Sequence, residues 1–99
     1  MSEKVVSKED IKNMIKKPNM YRVILLNDDY TTMEFVVNVL MVVFHKSITE
    51  ATMIMLDVHK KGRGVVGLYT YDIALTKIKQ VESMAAESGY PLKSIMERE

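Results

Sequence analysis

A chain of 99 residues has room for one domain with a single modest core and not for two. Its 14 Lys and Arg against 13 Asp and Glu leave a net charge of +1, which argues against a nucleic-acid binder and its basic excess. The hydrophobic fraction of 47% is ordinary for a soluble globular chain, and with no cysteine neither disulfides nor thiolate-bound metals are available. The opening residues lead into no apolar run of signal-peptide length. The longest apolar run, 39–44, is too short to span a bilayer, so the chain reads as cytosolic. The 9 methionines suit irregular packing and adaptable apolar surfaces, core filling being the commoner use.

Residues 1–19 mix Lys, Glu, Asp and Asn with few large apolar groups. Ile11, Met14 and Ile15 have helical spacing, but Pro18-Asn19 ends that pattern, and so short a helix is marginal alone. The stretch is expected to be a mobile N-terminal extension, either a frayed terminus or a segment that orders on a partner. The domain core is then 20–99. Residues 20–26, rich in β-branched and aromatic side chains, read as a strand with Tyr21, Val23 and Leu25 on one face and Arg22, Ile24 and Leu26 on the other. From Met33, the apolar positions Phe35, Val36, Val39, Leu40, Val43 and Phe44 recur near a period of 3.6, predicting a helix that ends near His45-Lys46. Thr31 with Glu34 is the expected capping box at its start.

Ser47 with Glu50 predicts the cap of a second helix running to about Lys60, with Gly62 as a left-handed stop. Residues 63–69 read as a second strand, whose Gly64 and Gly67 suggest a bulge or a close backbone approach. Thr70 is the expected cap of a third helix, in which Asp72 favours the positive end and Ile78, Val81 and Ala85 form the buried stripe until Ser88-Gly89. Residues 92–96 complete the chain as a third strand. The order βααβαβ is that of a two-layer α+β domain.

The corner between the first strand and first helix carries three consecutive polar side chains, Asn27-Asp28-Asp29. An ammonium group has three donors and no acceptor, so a dry site for it needs about three acceptors. Asn27 and Asp29 supply two, and His59 can supply a third as a neutral imidazole. Met55, Val58 and His59 share one face of the second helix. Met33 and Val36 can form a facing wall. Such a pocket would take a ligand with a cation beside a large apolar side chain. Each feature also has a plainer reading: turn and capping chemistry for the acidic corner, a solvated residue for His59, ordinary core for the Met and Val stripes.

The run from Leu26 to Val36 (LNDDYTTMEFV), together with 53–59 (MIMLDVH), resembles the ClpS family, and the resemblance extends from about Tyr21 to the end through Gly62, 67–70, Thr76-Lys77 and Pro91-Leu92. The resemblance implies a three-stranded antiparallel sheet packed against three helices, like the C-terminal domain of the ribosomal stalk protein. It implies an adaptor of the N-degron pathway, not an enzyme. Such an adaptor binds proteins with a destabilising N-terminal Leu, Phe, Tyr or Trp and delivers them to the ClpA unfoldase of the ClpAP protease. It needs no cofactor or metal, contacts neither nucleic acid nor membrane, and works as a monomer. Carried onto this sequence, Asn27, Asp29 and His59 hold the substrate's α-amino group, and Asp28 and Thr31 support the rim. Leu25, Leu26, Met33, Val36, Met55, Val58 and Leu92, with Thr31, line the side-chain pocket. Met33 falls at the gatekeeper position that disfavours β-branched residues. Asp72 and Lys77 match the face that docks on the N-terminal domain of the Hsp100 unfoldase. Thr32 stands where proline is frequent, and Leu75 where a polar residue is common.

Two other functions fit parts of the sequence. A small metal-dependent enzyme could use Asp28, Asp29 and His59, with His45 as an optional fourth, all of them good ligand types, although no paired-His motif, nucleophile elbow or phosphate loop occurs. RNA binding could use Lys60-Lys61-Gly62-Arg63, a cluster more simply read as a solvated helix end.

Overall fold

A computed structural model describes residues 18–99. The extension expected at 1–19 therefore lies almost wholly outside the described residues, and the first described element is the strand that opens at Met20. The elements are β1 (Met20–Leu26), α1 (Met33–Val42), α2 (Ile48–Lys61), β2 (Arg63–Thr70), α3 (Tyr71–Ser88) and β3 (Lys93–Arg98). They form an open antiparallel sheet in the order β2-β1-β3, with β1 at its centre.

The helices cover one face of that sheet. Val23 and Leu25 from β1, Val66 from β2 and Leu92 before β3 are buried with Phe35, Val36, Val39 and Leu40 of α1, Met55 and Val58 of α2, and Ala74, Ile78, Val81 and Ala85 of α3. The alternation expected of β1 holds: Tyr21, Val23 and Leu25 face the helices, and the outer face receives Arg22, Ile24 and Leu26.

The two glycines of β2 do what their positions suggest. The pairing shifts after Val23↔Gly67 to Ile24↔Val65, which leaves Val66 as the extra residue of a bulge. Gly64 is where α2 presses on the sheet: a Cβ there would lie 2.8 Å from Val58 Cγ2 and 3.0 Å from the Ile54 carbonyl oxygen.

Helix ends are where the structure departs from the sequence pattern. The first helix stops at Val42, earlier than expected, although Val43 and Phe44 continue the buried stripe from the turn that follows. The Lys46 N–H closes that end on the Leu40 carbonyl at 3.1 Å, and His45 takes the left-handed position at φ 56. A histidine there gives no glycine stop signal. α2 behaves as expected, with the Glu50 N–H donating to Ser47 Oγ at 3.1 Å and Gly62 closing the helix at φ 86. β3 begins one residue later than expected and runs to Arg98.

Candidate substrate-recognition site

The turn between β1 and α1 is held by two side chains. Asp28 Oδ1 accepts the N–H groups of Tyr30 at 2.8 Å and Thr31 at 2.6 Å, and its Oδ2 accepts the Thr31 hydroxyl at 2.7 Å. Partial burial of the carboxyl opposes its ionisation, but the bonds from the Thr31 hydroxyl, the Thr31 N–H and the Tyr30 N–H outweigh that and keep Asp28 below the usual carboxylate range. The expected cap at Thr31 is thereby corrected. Its hydroxyl is spent on Asp28, and the helix is capped by the next residue, whose Thr32 Oγ1 accepts the Phe35 N–H at 3.1 Å.

One backbone bond ties this corner to the end of α2. The Asn27 N–H donates to the Gly62 carbonyl at 3.0 Å, while the Gly62 N–H donates to the Val58 carbonyl at 3.0 Å. Gly62 is the left-handed cap of the helical turn that carries His59, so the corner and the histidine's turn are joined through one residue. The absence of a side chain at Gly64 lets that helix end sit directly on the sheet. The side chains of Asn27, Asp29 and His59 are exposed, and no side-chain hydrogen bond or ion pair among the described residues uses them.

Most of the apolar residues expected of a pocket belong to the core. Leu25, Val36, Met55, Val58 and Leu92 are all buried in one cluster. Met33, the first residue of α1, is 44% exposed. Leu26 is different. It faces the other side of the sheet and helps to line a separate cleft of about 350 Å³ with Asn27, Asp28, Asp29, Tyr30, Pro91 and Lys93. The Asn-Asp-Asp corner thus stands between the apolar cluster on the helix side and a separate cleft on the other. No local pattern announces this cleft, whose Pro91 and Lys93 lie more than 60 residues from the corner in the chain.

The two docking candidates are not alike. Asp72 is exposed in the first turn of α3. Lys77, five positions later and roughly 140° around the helix, is part-buried and donates from Nζ to the Val43 carbonyl at 2.7 Å. It closes the C-terminal end of α1 against α3.

The metal-site alternative needs Asp28, Asp29 and His59 near one another, with His45 as the optional fourth ligand. His45 follows the far end of α1, a helix of 10 residues, and Asp28 is already committed to its own turn. Among the described residues, no three His, Asp or Glu side chains cluster as metal ligands would. None of the helices described is long and apolar enough to cross a membrane.

Comparison with known proteins gives a consistent picture. Residues 16–95 match the family model described as ATP-dependent Clp protease adaptor protein ClpS. An ATP-dependent Clp protease adapter protein ClpS from Acetivibrio thermocellus is 63% identical over 99 residues, covering 100% of both chains. Another from Syntrophus aciditrophicus is 61% identical over 83 residues, covering 84% of this chain and 78% of that one. Among solved structures, Agrobacterium tumefaciens ClpS2 bound to L-phenylalaninamide superposes with a TM-score of 0.80 at 43% identity, covering 83% of this chain and 99% of that one. With this family match, these relatives and the βααβαβ fold, the chain belongs to the ClpS family of Clp protease adaptors.

Proposed function

We propose that this adaptor binds proteins through a free N-terminal residue, Leu, Phe, Tyr or Trp, and delivers them to the ClpA unfoldase of the ClpAP protease. The observation that carries the reading is the junction of the Asn27 corner with the Gly62 cap of α2, which ties the corner and its exposed Asn27 and Asp29 to the helical turn that carries the exposed His59. In this reading the substrate's ammonium donates to Asn27, Asp29 and neutral His59. Its first side chain enters between Met33 and Val36 on one side and Met55 and Val58 on the other, over Leu25 and Leu92. Asp28 and Thr31 brace the rim. The ligand of the A. tumefaciens relative, L-phenylalaninamide, has this chemistry: a free α-amine beside one aromatic side chain.

Recognition of the α-amine explains why an adaptor would ignore Leu and Phe inside a chain. An internal residue brings an amide in place of an ammonium, and the acceptors then lose their charged partner at a cost of about 1–3 kcal/mol. Met33 would act as a gate, its flexible side chain tolerating an unbranched Cβ and crowding a branched one. Asp72 is the docking residue that faces solvent. Lys77 would support that face through α1 and by any part of its ammonium left free. No bond is made or broken by the adaptor, and the chemistry belongs to its partner.

Fluorescence anisotropy with a peptide headed by free Phe tests the reading. His59→Ala and Asn27→Ala should each weaken binding about tenfold or more, since one lost charged hydrogen bond is worth about 1.4 kcal/mol or above. Met33→Ala should admit peptides headed by Ile or Val. Wild-type affinity in both acceptor variants would contradict the proposed site.

A further inference from the structure

Three methionines among the described residues are exposed: Met33, Met41 and Met53. A thioether that solvent reaches can take an oxygen atom from peroxide, and the product is polar where the parent is apolar. What that oxygen does depends on where the sulfur stands. Met53 lies about 200° around α2 from both Ala51 and Met55, members of its buried stripe, and so faces away from the core. Met41, near the C-terminal end of α1, lines a groove with Asn38, Ser88 and Tyr90, none of them assigned to recognition.

Met33 stands elsewhere. It opens α1, and Val36 and Val37, three and four positions on, share its face. Val36 is buried with Leu25, Met55, Val58 and Leu92, and Val37 packs against the same cluster. Met33 thus continues that stripe one turn further, to the N-terminal end of the helix, and emerges there at 44% exposure. A helical side chain leans towards its own N-terminus, which for α1 is the turn that follows Asn27-Asp28-Asp29. Met55, from the same cluster, is 8% exposed and so is shielded from a dissolved oxidant.

We propose that Met33 is an oxidation site whose modification turns substrate recognition down. The inference rests on the recognition reading above, in which Met33 forms one wall for the substrate's first side chain. The oxidant is a peroxide. An S–O bond forms at the Met33 sulfur and the O–O bond breaks; the sulfur gives up two electrons, and with hydrogen peroxide the remaining oxygen leaves as water. The sulfoxide keeps the length of the side chain but adds a strong acceptor, and the side chain of Leu or Phe offers it no donor. A methionine sulfoxide reductase reverses the step, its two thiols becoming a disulfide while the oxygen leaves as water.

Limited treatment of the full chain with hydrogen peroxide tests this, read by peptide mapping in a mass spectrometer and by anisotropy with a Phe-headed peptide. Conversion of Met33 should weaken binding about fivefold or more, with the unfolding midpoint close to that of untreated protein. The reductase should restore the affinity. A variant carrying Met41→Leu and Met53→Leu should respond to peroxide as wild type does, whereas Met33→Leu should keep through the treatment whatever affinity it had before. Bound peptide should slow oxidation of Met33 several-fold and leave that of Met53 unchanged. Unchanged affinity after conversion of Met33, or equal oxidation of Met33 with and without bound peptide, would overturn the switch and leave the recognition reading standing. Untreated protein that fails to bind the peptide would overturn both.

Discussion

The molecule has two strand-to-helix corners, and they are built differently. Between β1 and α1 the chain makes a turn in which Asp28 accepts three bonds and Thr32 caps the helix. Between β2 and α3 it passes from Thr70 straight to Tyr71. Thr70 has an N-cap backbone conformation, φ −65 and ψ 163, but its side chain makes no capping bond. The expected Thr70 cap is thus present in backbone only. The second corner is held by what surrounds it, including the edge-on contact of Tyr21 with Tyr71 at 5.4 Å. Local hydrogen bonds are concentrated at the corner whose Asn27 and Asp29 are the proposed acceptors, and the other corner only has to turn the chain. A rigid frame for acceptor groups is what recognition of a small cation requires.

Several substitutions can break or sharpen that contrast. The largest effect is expected at Gly64, which seats the α2 end beside the first corner. Gly64→Ala forces a Cβ against Val58 and the Ile54 carbonyl, and should cost about 2–3 kcal/mol in chemical denaturation. It should also weaken peptide binding, because His59's turn must move; a stable variant with unchanged affinity would uncouple the helix end from the site. Asp28→Ala removes an acceptor of three bonds and should cost about 1–2 kcal/mol.

That loss has a pH signature. Asp28's carboxyl is held below the usual range in the folded state, so its stabilisation is fully present above the unfolded value and is lost as pH falls through the folded one. The stability difference between wild type and Asp28→Asn should be constant from neutral pH down to about pH 4 and then shrink. A difference that grows on acidification would reverse the assignment. Thr32→Ala should cost about 1 kcal/mol as an ordinary lost cap. Thr70→Ala, at the uncapped corner, should stay within about 0.5 kcal/mol of wild type. Equal losses at Thr32 and Thr70 would erase the distinction between the corners.

Which features were legible in the sequence follows from how local their causes are. Ser47 and Gly62 bracket α2 as expected, because each acts on residues within one turn of itself. Thr31 and Thr32 are adjacent candidates for one cap, and the Thr31–Glu34 spacing favours the wrong one. Only the competing bond to Asp28 decides between them. The end of α1 was hidden because Val43 and Phe44 are as buried in the turn as they would be in the helix. The faces of β1 were readable from alternation alone, including the position of Leu26 on the outer side. Its separation from the pocket bed was not drawn out, since that depends on where the helices pack. The bond from Lys77 to Val43 and the Arg63–Glu97 pair join residues 34 positions apart, and no local pattern announces either.

The central claim is that the acceptors of the first corner hold a chain's own α-ammonium. The most direct measurement is calorimetric titration of the protein with a Phe-headed peptide and with the same peptide acetylated at its N-terminus. The side chain and following sequence are identical, so only the ammonium differs. Binding of the free peptide with at least tenfold loss on acetylation is the predicted result. Equal affinity for the two peptides would contradict it.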